Sequence, residues 1–552
     1  MITWTLPITR NLFAQRKHRL LFRWAVLLLA VLGLAAALAW VGYVWQQAVT
    51  IGTGFRWFGT EGLRPLGTTA LLSAFLVYWL HIAPPLEDRA VRPESLDLEE
   101  RLRPSAWMAL EQAVELSENL QRPLSPAHLL LGACIPAEGA SILARLGVSF
   151  DALQEPFIPL LRAGEAGVGD GSTAEVNQLL AQACTLSSEE GRGCGATHIV
   201  RACLASSAEM RSAMERAGAN PDHIEAIGRW LAVQGRLKAE HDRFVRVAAM
   251  KPDTDLNRTM TSRQTLLLNQ VSEDVTRLAK QGYIAPMIPR EEVWNACVRA
   301  WESGSRVITL VGPEGSGKTA FVEFLARRMV EEQVPAALFD RRLVSVHVQE
   351  LVSGADPGQI SERVLQLLNE CAASGNLVLV LEGVEALVGA GYGGTHDLFD
   401  TLSQDIERYG LYVVATTTPS AWTTHIEQRA FAKRCVKIDH AAPSALVAEA
   451  ILMTHANGFE YKHEVFFSYA ALEVALRLGG SVGTGAALPA NALEWLREAA
   501  ASVQATRGAR GLVTQQDVAK IIEEKTGIPA TSVQQDEADR LLHLEDRLKE
   551  RV

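Results

Sequence analysis

The sequence predicts an α/β module built around a phosphate-binding loop, preceded by an all-α double repeat and two transmembrane helices. Three observations predict it. Two long apolar runs lie within the first 83 residues. Six residues then recur at a constant offset of 70 positions between 112 and 198. Further on, the run Val307-Ile-Thr-Leu-Val-Gly-Pro-Glu-Gly-Ser-Gly-Lys-Thr319 joins a buried-strand pattern to a glycine-rich turn and an apolar helical segment.

At 552 residues the chain has room for three or four domains. Its 53 basic and 63 acidic residues leave a net charge of −10, and nothing in that balance points to a nucleic-acid partner. The seven cysteines, 134, 184, 194, 203, 297, 371 and 435, form no C-x-x-C pair. Their scatter argues for a reducing compartment, against structural zinc, and for most of them being small buried hydrophobes.

The N-terminal part reads as a membrane anchor. A basic stretch, 1–23, precedes an uncharged span at 24–45, which exceeds the roughly 20 residues a bilayer requires. A loop at 46–65 leads to a second span at 66–83. Trp24, Tyr43, Trp45, Tyr78 and Trp79 lie near the span ends, where interfacial aromatics sit. Basic residues cluster before the first span (Arg10 to Arg23) and after the second (Arg89 to Arg103). The expectation is therefore a multi-pass protein of the inner (cytoplasmic) membrane with both termini cytoplasmic. Residues 84–100 form a polar, proline-containing linker.

Residues 101–235 contain the repeat. Gln112, Ala113, Leu116, Ser117, Arg122 and His128 recur as Gln182, Ala183, Leu186, Ser187, Arg192 and His198. Apolar residues at helical spacing, broken near Pro123 and Gly191–Gly195, predict two similar helical units burying a shared core. His128 and His198 have no partner ligand nearby in sequence and are read as capping or packing the start of a helix. Residues 236–270 are charged, poor in glycine, and read as a helical connector.

The α/β module begins near residue 271. Gly312, Pro313, Glu314, Gly315, Ser316 and Gly317 form the loop whose backbone amides would cradle phosphates. Lys318 would reach the β- and γ-phosphates of ATP, and Thr319 would place its hydroxyl on Mg²⁺.

The chain from about Arg101 to Val552 resembles the Clp family of AAA+ unfoldases. The double repeat is similar to the family's N-terminal domain, which docks substrates and adaptors. Tyr283-Ile-Ala-Pro-Met-Ile-Pro-Arg-Glu-Glu292 resembles the segment covering the adenine, which implies an adenine contact from Ile288. Pro289 stands where the family has glycine. Arg341-Arg-Leu-Val-Ser-Val346, Leu351-Val-Ser-Gly-Ala355, Leu387-Val-Gly-Ala-Gly391 and Leu411-Tyr-Val-Val-Ala-Thr-Thr417 follow in the family's order. The resemblance implies an AAA+ large subdomain at 271–440, a helical lid at 441–507 and a connector at 508–552. It also implies a ring or ring-like homo-oligomer and protein clients or adaptors bound through 101–235.

The resemblance fails at instructive positions. Aligned on Leu387–Gly391, Glu382 takes the place of the metal-holding Asp, and Gly383 that of the Glu that polarises water. A one-residue shift makes Glu382 the base but puts Leu381 on the metal, so either register lacks half of the pair. Glu385 is a weak substitute. Thr416 or Thr417 would bond the γ-phosphate, and Arg434 would act in trans as an arginine finger. The family's gripping tyrosine is missing from Gly354–Ile360. Tyr392 either replaces it or is an exposed residue of a flexible loop. Two readings follow: a membrane-anchored remodelling ATPase with weak or absent hydrolysis, or a nucleotide-dependent scaffold or adaptor of the same fold.

Overall fold

The computed structural model describes residues 101–162, 174–191, 193–250, 265–352, 357–388, 398–481 and 488–527. They divide into two compact units between Gly228 and Arg229.

The first unit is helical: α1 (Pro104–Asn119), α2 (Pro126–Cys134), α3 (Ala137–Leu146), α4 (Phe150–Arg162), α5 (Ala174–Glu189), α6 (Ala196–Ser206) and α7 (Ala208–Arg216). The sequence repeat becomes a structural one. α1 packs on α2 as α5 packs on α6, and α2 also packs on α6; Leu129 and Leu130 of α2 and Ile199 and Val200 of α6 are buried. Each shared histidine sits at the third position of its helix. The Ser125 amide donates to His128 Nδ1 at 3.3 Å and the Gly195 amide to His198 Nδ1 at 3.0 Å, satisfying an amide that a helix start leaves free. In the second copy His198 Nε2 also meets Glu190 at 3.2 Å, and Arg201 pairs with Glu190 and Glu225. Burial opposes ionisation of Glu190, but the His198 and Arg201 bonds outweigh it and hold the carboxyl at about 2.

Helix α8 (His223–Met250) contains the boundary between the units. The second unit then builds a six-stranded sheet from β1 (Glu273–Asp274), β2 (Val307–Val311), β3 (Arg342–His347), β4 (Leu377–Glu382), β5 (Tyr412–Thr417) and β6 (Val436–Asp439), in the order β1-β3-β4-β5-β2-β6. All neighbours are parallel except β1, which runs against β3. Every residue of β2 is buried, as a parallel strand covered on both faces must be. Val307 and Val311 join one core with α11 (Pro357–Ser374) and α12 (Leu398–Tyr409), while Ile308 and Leu310 join the other with α9 (Glu291–Glu302) and α10 (Lys318–Val330).

Four helices, α14 (Ala445–His463), α15 (Tyr469–Ser481), α16 (Ala490–Arg507) and α17 (Gln515–Thr526), form a smaller subdomain with its own core and the parallel pair β7 (Phe466–Phe467) and β8 (Leu512–Val513). Residues 512–526, placed in the connector from sequence, thus belong to this subdomain. Trp230 of α8 is buried in the same core and donates its indole N–H to the Met453 carbonyl at 3.0 Å.

The expected localisation is corrected. Among the described residues no single helix is long and apolar enough to cross a membrane. The apolar α2 and α3 meet at a 90° bend and supply core residues of the first unit. The spans expected at 24–45 and 66–83 lie outside the described residues. The inner-membrane assignment is accordingly withdrawn.

Candidate nucleotide site

The loop 312–317 hangs between the carboxyl ends of three strands. The Gly312 amide donates to the Thr417 carbonyl of β5 at 3.1 Å, and the His440 amide, just past β6, donates to the Val311 carbonyl at 2.7 Å. A Cβ on Gly312 would collide with the His440 carbonyl oxygen, so no other residue fits. Gly317, at φ 95, turns the chain into α10, and the first-turn amides of that helix point back toward the loop without intrahelical acceptors. Together these form a concave, amide-lined cradle of the kind that takes phosphate.

Lys318 folds over this cradle, its ammonium donating to the Gly312 and Pro313 carbonyls at 2.7 and 2.9 Å. Burial lowers its pKa, while the charges of Glu385 and Glu314 pull it up. Ser316 is buried and shares a 3.3 Å hydrogen bond with His440 Nδ1. His440 is buried too, and is pushed down to about 4 by burial and by the charges of Arg290 and Lys318.

At the end of β4, Thr319 donates to Glu382 Oε2 at 3.1 Å and Ser345 to Glu382 Oε1 at 2.8 Å. His347 Nδ1 stands 3.5 Å from the same Oε2. The two residues expected on Mg²⁺, Thr319 and Glu382, are therefore brought together. A hydroxyl and a carboxylate are donors that this hard cation accepts, so the residues present fit it. Thr416 is paired with Glu382 across β4 and β5, and its Oγ1 accepts from the Gly383 amide at 3.2 Å. Gly383 is left-handed (φ 70, ψ 48), and no atom lies within 4 Å of where its Cβ would stand.

Ile288 is buried two residues before Arg290, whose guanidinium donates to the Ala441 carbonyl at 2.8 Å and the Ser316 carbonyl at 3.5 Å. Arg434, on α13 (Ala430–Arg434), is not brought to this cradle. It pairs with Glu407 of α12 at 3.1 Å and donates to Ser403 at 3.4 Å. Tyr392 and residues 354–356 of the expected substrate-gripping segment lie outside the described residues. Sequence reasoning missed Ser345, His347 and His440. The register of β3 against β4 sets His347 beside Glu382, with Ser345 two residues earlier on the same face, and no local pattern in the sequence marks either residue.

Residues 308–437, from β2 to β6, match the model of the ATPase family associated with various cellular activities (AAA). This segment is similar to that family. It is 25% identical over 529 residues to the ATP-dependent Clp protease ATP-binding subunit ClpC of Staphylococcus aureus, covering 82% of this chain and 62% of that protein. It is 32% identical over 279 residues to Heat shock protein 104 of Schizosaccharomyces pombe, covering 50% of this chain and 31% of that one. Among solved structures it is similar to the Saccharomyces cerevisiae Hsp104–ADP complex, with 29% identity, a TM-score of 0.47, and 51% of this chain and 49% of that one covered. The match thus spans less than two thirds of the length of these relatives.

Proposed function

We propose that this protein is a Clp-type AAA+ protein that binds ATP with Mg²⁺ and uses the bound state to remodel client proteins, hydrolysing ATP slowly. The observation that carries the reading is the cradle itself: a glycine loop hung from three strand ends, with a lysine folded over it and a hydroxyl–carboxylate pair beside it. The loop amides and Lys318 would hold the phosphates, and Ile288 would cover the adenine. Thr319 and Glu382 would hold Mg²⁺, which when bound neutralises charge on the phosphates. Thr416 would bond the γ-phosphate. The helical repeat would receive clients or adaptors, as its resemblance to the Clp N-terminal domain implies. Subunits would assemble into a ring in which Arg434 serves a neighbour's site.

Slow hydrolysis is favoured by one feature. Gly383 has no side chain to orient water, and losing a positioned base costs about 10²–10⁴-fold in rate. The same feature supports a second reading, a nucleotide-dependent scaffold or adaptor for another AAA+ protein.

Titrating the full chain with a fluorescent ATP analogue and Mg²⁺ tests the reading. Lys318→Ala removes charge-assisted hydrogen bonds of about 1.5–3 kcal/mol, so affinity should fall on the order of 10- to 100-fold. Equal binding by the two proteins would overturn the assignment. Phosphate release at an ordinary rate of about 10 per second would sink the slow-turnover part alone.

A further inference from the structure

We propose that Glu385 is the general base of this site, carrying out from a displaced position the proton transfer that Gly383 cannot. The inference rests on the reading of the loop as an ATP site. Gly383 ends β4 in the left-handed region and starts the tight turn Val384–Leu387, closed by the bonds from Ala386 N to Gly383 O and from Val388 N to Glu385 O, both 3.0 Å. The turn packs against β5, the strand of Thr416, and so holds Glu385 at the carboxyl edge of the sheet.

Two observations single out this carboxylate. Its Oε2 is shut away from solvent and has no hydrogen-bond partner. Buried polar atoms are nearly always paired, so a lone carboxylate oxygen points to a partner that arrives with the ligand. It also lies in the turn that directly follows Glu382, three residues beyond the carboxylate at the end of β4. By contrast, Glu382 is already engaged by Thr319, Ser345 and His347, and Glu314 is exposed on the loop.

The step balances without a co-reactant beyond water. Water oxygen attacks the γ-phosphorus while Glu385 accepts its proton. The bond from the γ-phosphorus to the β–γ bridging oxygen breaks, ADP leaves with that electron pair, and the proton passes from Glu385 to the phosphate released. The longer path through a turn, in place of a side chain on the strand end, would make turnover slow.

The test uses the full chain loaded with γ-labelled ATP, following single-turnover conversion to ADP, with binding of a fluorescent ATP analogue measured in parallel. Glu385→Gln should slow conversion by about 10²–10⁴-fold while binding the analogue as tightly as wild type or a few-fold tighter, because a negative charge near the phosphates is gone. Glu385→Asp should fall between them. Gly383→Glu combined with Glu385→Gln should recover conversion. Conversion by Glu385→Gln at the wild-type rate overturns the proposal, as does a wild type that binds ATP and never converts it. If wild type binds no nucleotide, the ATP-site reading falls, and the role of Glu385 falls with it.

Discussion

Gly383 follows β4 in the left-handed region and brings no side chain to the edge of the candidate nucleotide site. The position has open space for a side chain, yet its φ of 70 disfavours any residue with a Cβ. Gly383→Ala should therefore destabilise the protein by about 1 kcal/mol through backbone strain alone, read as a lowered urea midpoint. Gly383→Glu should show the same loss of stability but raise phosphate release, more so with Glu382→Asp. A Gly383→Glu variant no faster than Gly383→Ala would mean that a carboxylate there cannot reach the water. The comparison with alanine separates strain from chemistry.

At the scale of elements, the strand–loop–helix unit depends on β6 as much as on β2, because His440 supplies both the carbonyl that restricts position 312 to glycine and the ring against Ser316. His440 Nε2 is buried without a partner, so the folded state holds the ring neutral. Its pKa is about 4 in the fold against about 6.5 in an unfolded chain. Between these values the unfolded state binds more protons, so stability is full above about pH 6.5 and falls as the pH drops toward 4. At about 1.4 kcal/mol per unit, the loss from this residue reaches ~3 kcal/mol. Urea unfolding of His440→Leu between pH 7 and 4 should show a shallower pH slope than wild type. An unchanged slope would mean that the ring accepts a proton without cost.

For the whole molecule, the position of Arg434 bears on assembly. It is anchored to α12 by Glu407 and Ser403, away from the cradle of its own chain. If it serves a neighbouring subunit, Arg434→Ala should bind the ATP analogue as wild type does yet lose ATP-dependent assembly in sedimentation experiments. Assembly that survives the change would assign Arg434 a role confined to its own subunit, holding α13 to α12.

Local pattern alone was enough to determine several parts of this protein. The run 307–319 specified strand, glycine loop and helix because buried β-branched residues, permissive glycines and a helical apolar period each leave a local signature. The 70-residue offset specified the helical repeat, and its two histidines were legible as helix-start residues because capping involves neighbours in sequence. The short strand β6, with only Ile438 buried, carried too weak a pattern to be read, and α17 was placed outside the subdomain it helps to form. Two hydrophobic runs drew the sequence reading to a membrane, whereas no single helix among the described residues is long and apolar enough to cross one. What only the tertiary structure decided is which polar groups meet. Ser345 and His347 on β3, Glu382 on β4, Thr416 on β5 and His440 after β6 are far apart along the chain. The register of parallel strands sets them at one edge, and neither composition nor spacing along the chain encodes that register.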